Sequence, residues 1–180
     1  MQPTRLSHLI QRSGRRLARA VAIATLVASQ GCVYGFAGGG LPPHIRTVAI
    51  LPFDNQTGEP TLTKEVTDAV RDALQGRLGL RPSSESNADA VVRGVIARYE
   101  PDIPLTFQPG QQQGTVSVTL RRVQLTLNVE IYDQKQGRML WQRSGMMVDG
   151  QYQPPQEAQG RQLALNKLVS DIVDGAQSQW

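Results

Sequence analysis

The residue types that carry most enzyme and metal chemistry are scarce in this chain. It contains one cysteine, Cys32, and two histidines, His8 and His44. That is too few for an internal disulfide, a zinc quartet or an imidazole metal cluster. His44 follows Pro43 with no nucleophile spaced to use it, so it reads as an exposed residue at the end of a linker, not as a general base. Glu59, Glu65, Asp68 and Asp72 fall at the start or on the solvent side of a helix, where they favour its dipole and form no acid–base pair. Gly38-Gly39-Gly40 has no strand before it and no helix after it, and is a spacer, not a phosphate loop. Asn55-Gln56-Thr57 fits a glycosylation triplet but reads as a turn. The expectation is a protein with no catalytic residues, no cofactor and no metal.

The chemistry that remains is cationic. Arg121 and Arg122 are adjacent, and Lys135, Arg138 and Arg143 lie on the hairpin that follows. Guanidinium groups gathered at a strand irregularity can hold phosphate or carboxylate bidentately. The plainer alternative is that they are solvated residues on the outer face of an amphipathic sheet. Overall charge does not decide between these readings. The formal net charge of +4 comes from the first 31 residues, which hold five arginines and no acid, leaving 14 basic against 15 acidic residues in the remainder. Without a basic excess or interleaved aromatics, nucleic acid is not the expected partner.

Those first 31 residues read as a secretory signal. An arginine-rich start precedes the apolar run from Ala20 to Ala28, and Ser29-Gln30-Gly31 then leads to Cys32. The run is far short of the ~20 residues that span a bilayer. Arg15-Arg16 leaves twin-arginine export open beside the general route. A lone cysteine directly after glycine at this place resembles the cleavage box of bacterial lipoproteins, in which the cysteine becomes the acylated first residue. Ser29 stands where that box prefers a Leu-like residue, and an ordinary signal peptidase would cut the same bond. Multiple acyl chains on Cys32 meet the condition for stable anchoring, and Val33 in place of aspartate resembles lipoproteins sent to the outer membrane.

The elements that must position the arginines follow. Residues 32–44 form an acylated cysteine and a flexible tether, rich in Gly and Pro, and one domain is expected over 45–180. Thr47 to Phe53 is a short buried strand whose ladder stops at Pro52. From Leu62 to Leu78 apolar residues recur with helical period, Thr61 or Thr63 can cap the start, and Gly79 supplies the left-handed end with Leu80 beside it. Ala88 to Tyr99 reads as a central strand parallel to the first. Residues 101–114 read as a polar loop. Val116 to Asp133 alternates but changes phase, which calls for a bulge near Arg121-Arg122. Gln134 to Gly137 is a hairpin turn, and Arg138 to Gln151 is the returning strand. A second helix carries Ala158, Leu165, Leu168, Val169, Ile172, Val173 and Ala176 on one side. The sum is an α+β two-layer sandwich, a four-stranded mixed sheet with two helices on one face in the order β-α-β-β-β-α.

With these elements in place, the chain resembles the lipopolysaccharide-assembly lipoprotein family (LptE-type) over roughly residues 32–180. The resemblance rests on Cys32-Val-Tyr-Gly-Phe36, Leu41-Pro-Pro-His44, Thr47-Val-Ala-Ile-Leu-Pro-Phe-Asp-Asn-Gln-Thr-Gly58 and the helix from Leu62. Ala88-Asp89-Ala90 with Gly94, Leu140-Trp141 and Ala164-Leu165 complete it. It implies a non-enzymatic plug inside an LptD-type outer-membrane β-barrel, held to the membrane through acylated Cys32, helping the barrel assemble and deliver lipopolysaccharide. Arg121, Arg122, Arg138 and Arg143 are then candidate contacts for anionic lipid. The competing expectation is a lipid-anchored ligand-binding or secretion-channel lipoprotein that oligomerises. Under either, Cys32→Ser is expected to abolish labelling by a radioactive fatty acid and to release the protein from sedimented membranes.

Overall fold

The computed structural model describes residues 41–109 and 116–178. The expectations for the signal, for Cys32 and for most of the tether lie outside the described residues, as does the part of the expected loop from 110 to 114. The elements are β1 (Thr47–Ile50), β2 (Asp54–Asn55), α1 (Thr61–Leu78), β3 (Arg81–Pro82), β4 (Ala90–Pro109), β5 (Val116–Asp133), β6 (Arg138–Tyr152) and α2 (Glu157–Ser178), with a single 3-10 turn at Glu85–Asn87. The class is α+β with a mixed sheet and two helices, as the periodicities require. The sheet has six strands, not four, in the order β3-β1-β4-β5-β6, with β2 also paired to β4. Both additional strands are two residues long, too short to leave a period in the sequence.

β1 and β2 are one interrupted lane along β4. Ile50 lies opposite Val92, and the pairing resumes at Asp54 opposite Val95. Between them Pro52 has no N–H to offer, and Phe53 turns into the core, where it is 1% exposed. Gly94 makes room for that ring, because a Cβ there would overlap Phe53 and the Asn128 carbonyl. The parallel pairing of β1 with β4 across α1 is the expected crossover, and β4, β5 and β6 run antiparallel.

One expectation about strands is corrected and another is located more closely. Residues 101–109 are not loop but the continuation of β4 to Pro109. Past Ile96 the outer edge of β4 has no partner strand among the described residues, and Pro101 sits in a register shift between Glu100 and Ile103. Proline is tolerated at edges and bulges for this reason. The β5 bulge expected near Arg121-Arg122 is present two residues before that pair, at Thr119, between the pairs Thr106↔Leu120 and Phe107↔Val118. The extra residue brings Val116 and Val118 into phase with Val123, Leu125, Leu127, Val129 and Ile131 and leaves Leu120 on the other side; those five from Val123 to Ile131 are each fully buried. Such burial contributes roughly 1.5–3 kcal/mol for each large apolar side chain.

Both helices cover the same face and share one large core, and a small second cluster of Ala49, Ala88 and Val91 lies apart from it. α1 has no threonine cap; its N-cap is Pro60, and the Glu59 carboxylate accepts the Thr61 N–H at 3.2 Å and the Thr61 hydroxyl at 2.7 Å. Its other end is as expected, with Gly79 at φ +65° and the Leu80 N–H on the Leu74 carbonyl at 3.3 Å. In α2 Ala158 is exposed and Gly160 is buried in its stead. The reason is a backbone contact: a Cβ on Gly150 of β6 would overlap the Gly160 carbonyl, and one on Gly160 would stand 2.8 Å from the Tyr152 ring. Further along, Gly175 receives the Trp141 indole in the same way. Gly150→Ala is expected to lower unfolding free energy by about 1–3 kcal/mol. Gly76→Ala, inside α1 with nothing within 4 Å of the added Cβ, is expected to raise it by about 0.5–1 kcal/mol; urea titrations of both variants check the pair.

Candidate functional site

The domain is elongated along β5, and polar side chains gather at its two ends. At one end the chain enters. His44 Nε2 lies 2.7 Å from Asp133 Oδ2, and Asp133 is fully buried and also accepts the Gln136 N–H at 2.9 Å. Asp89 accepts the Arg46 and Thr47 N–H groups at 2.8 and 2.9 Å and pairs with Lys135 at 2.6 Å. His44 is therefore not an exposed linker residue. The β5–β6 turn brings a carboxylate to it, and the pair ties the incoming strand to that turn. The Lys135 ammonium, aided by the backbone donors, holds the Asp89 carboxyl well below the usual range against the opposing effect of burial. Burial pushes Asp133 upward, but the Gln136 N–H and His44 outweigh it and leave its pKa lowered.

At the other end α2 begins. Tyr99 donates to Glu157 Oε1, and Arg161 reaches the Tyr99 hydroxyl and Glu157 at 3.2 Å each and Glu65 at 2.9 Å. One guanidinium thus joins α1, α2 and β4. Burial, then donation to a carboxylate, pushes the Tyr99 pKa up to about 12. The Tyr152 hydroxyl donates to the Pro101 carbonyl at 3.0 Å, and Arg121 pairs with Asp102. Beyond Arg121↔Tyr152 the sheet narrows to a two-stranded arm, Thr106–Pro109 with Val116–Leu120. The 18 residues from Ile103 to Leu120 include no charged side chain. Phe107 opposes Val118 and Pro109 opposes Val116, which places these four on one face of the arm; Phe107 and Val116 are 58% and 66% exposed.

The four arginines do not converge. Arg121 and Arg122 stand at the arm end, whereas Arg138 is opposite Asp133, twelve residues or about 40 Å along β5. Arg143 lies between, opposite Val129, with Asp171 at 3.9 Å. Arg121 and Arg122 each have a buried Nε without an acceptor, and Arg122, unlike its neighbour, is in no ion pair among the described residues. Among those residues no group of three or more His, Cys, Asp or Glu could hold a metal ion, and no helix is long and apolar enough to cross a membrane.

The uncovered face of the sheet carries a cavity of about 320 Å³ lined by Leu51, Pro52, Val95 and Asn128, with the Arg93–Glu130 pair, 3.0 Å apart, beside it. The model of the LptE lipopolysaccharide-assembly family matches residues 45–178, which is the whole sandwich. The chain belongs to the LptE family. No curated protein sequence matches it. In fold this LptE-family chain is similar to a PelC dodecamer from Paraburkholderia phytofirmans, at 15% identity and TM-score 0.45, over 73% of this chain and 92% of that one. It is also similar to a minor lipoprotein from Acinetobacter baumannii, at 16% identity and TM-score 0.46, over 76% and 94%.

Sequence reasoning missed both polar ends of this LptE-type domain. Glu157 and Arg161, one helical turn apart, were a legible pair, but nothing in the order of residues joins them to Tyr99 or Glu65. The acid sensitivity of the other end follows in sign. Asp89 and Asp133 have folded-state pKa values below the unfolded ~3.9. The stability they contribute is complete above that value and is lost as pH falls through the depressed folded values. Asp133→Asn is expected to cost about 1–3 kcal/mol at pH 7 and to flatten the fall in the urea midpoint between pH 5 and the acid limit.

Proposed function

We propose that this LptE-family chain is a lipid-anchored plug that stands lengthwise inside an outer-membrane β-barrel of the LptD type and helps it assemble and pass lipopolysaccharide. The observation that carries the reading is the opposition of the two ends. The chain enters beside Asp133 and the uncharged arm begins at Arg121, at the far end of the same strand. β5 has 18 residues, about 60 Å at an extended rise, against roughly 40–45 Å for a bilayer with its headgroups. A domain held at the inner leaflet by Cys32 and aligned with a barrel axis carries its arm to the opposite side. The uncovered sheet face suits that setting, because Gln124, Thr126, Asn128 and Glu130 present neutral or charge-matched polar groups to a wet lumen. Nothing in this role requires a reacting group.

Within this reading, contact with anionic lipid belongs to Arg138 and Arg143, at the end where the chain enters and where lipid arriving from the periplasm would meet them. Arg143 is more than half exposed and lies 3.9 Å from Asp171, a spacing at which a surface pair leaves its charge largely available. Arg121, matched by Asp102, takes no part. Affinity purification from envelopes is expected to retain a large β-barrel with bound glycolipid, and Arg143→Glu to reduce the glycolipid several-fold while the barrel remains. In intact cells Gln108→Cys is expected to react with a membrane-impermeant maleimide and Gln136→Cys to resist it. Labelling in the reverse order, or a homo-oligomer with no barrel, would exclude the plug.

A further inference from the structure

β6 ends while its neighbour continues. Tyr152 sits opposite Arg121, and the chain then turns through Pro154-Pro155 into α2. Among the described residues, Val116–Leu120 of β5 consequently has β4 on one side and no strand on the other. Backbone groups along such an edge form a template for another strand. Protein edges that face water are blunted with charges and bulges, and the outer edge of β6 shows both. Arg138 and Arg143 lie on it, and Gly145, at φ +64°, turns its N–H to Asn128 Oδ1 at 2.8 Å. The arm is less protected: it has one bulge, at Thr119, but no charge between Ile103 and Leu120, and two large exposed apolar side chains, Phe107 and Val116.

Arg122 indicates what the edge receives. It stands beside the end of β6, opposite Gln151, with a buried Nε that, like that of Arg121, has no acceptor, and, unlike Arg121, with no ion pair among the described residues. We propose that the lane beside Val116–Leu120 takes an extended segment of a partner protein, added as a strand, whose carboxylate meets the Arg122 guanidinium. Lipid tails cannot serve, because they satisfy no backbone N–H or C=O. A second copy's arm fits less well, because residues 103–120 contain no acid and Arg122 would stay unmatched. The choice of a barrel segment as the partner rests on the plug reading; the lane and its charge do not.

A photo-crosslinking residue in place of Ser117, in the full-length protein in intact envelopes, is expected to capture a barrel segment containing Asp or Glu. Arg122→Gln is expected to lower that yield about tenfold, since it removes a hydrogen-bonded charge pair, and Arg122→Lys to recover part of it. In the purified unsubstituted complex, amide hydrogen exchange at Val116–Leu120 is expected to be slower than in the free domain. Crosslinks only to a second copy or to lipid, exchange unchanged on assembly, or a yield indifferent to Arg122→Gln, with the barrel still co-purifying, would overturn the strand addition alone. Absence of the barrel from the unsubstituted preparation would overturn the plug and this choice of partner together.

Discussion

The arrangement depends on how closely α2 approaches β6. Gly150 and Gly160 meet backbone to backbone, and neither has room for a side chain beside the other. A contact this close fixes the height of the helix above the sheet, and Gly175 against the Trp141 indole fixes its far end. With α2 held at two points, Leu165, Leu168, Ile172 and Ala176 enter the core and are almost fully buried. Close packing then transmits the position of α2 to α1. The same contact decides where β6 must leave the sheet, since the chain has to rise into α2 directly after Tyr152.

Charge is distributed around that core to hold its ends. Arg161 gathers Glu157, Glu65 and Tyr99, so the start of α2 is bound to the other helix and to β4. At the opposite end Asp89 and Asp133 collect backbone N–H groups from the first strand and from the β5–β6 turn. Buried carboxylates are costly unless they are hydrogen-bonded, and here their acceptors are filled by groups that the fold must place correctly. The end of the domain beside His44 is thereby well connected, whereas each strand of the arm at the other end is held by one neighbouring strand among the described residues.

Much of the architecture was legible because it rests on periodicity. The helical stripe from Leu62 to Leu78, the glycine at 79, the buried alternation from Val123 to Ile131 and the apolar side of α2 are local patterns, each dictated by side-chain direction. The same reading failed where a residue's role depends on distant neighbours. His44 looked solvated because its carboxylate is 89 positions away. Residues 101–109 looked like loop because proline marks loops unless the strand has a free edge, and edges are a property of the sheet. The two-residue strands at Asp54 and Arg81 exist only because β4 and β1 lie beside them.

The sequence by itself determined the family, the two-layer class and the absence of charge between Ile103 and Leu120, since composition and local period are carried by the chain without reference to its folding. Only the tertiary structure decided that the four arginines stand apart and that, among the described residues, one of them lacks a counter-charge and Val116–Leu120 has a vacant edge beside Thr106–Pro109. Those are matters of distance and register. A strand's length separates residues that look clustered in sequence, and a helix drawn down onto the sheet by two glycines removes the strand that would have covered the edge.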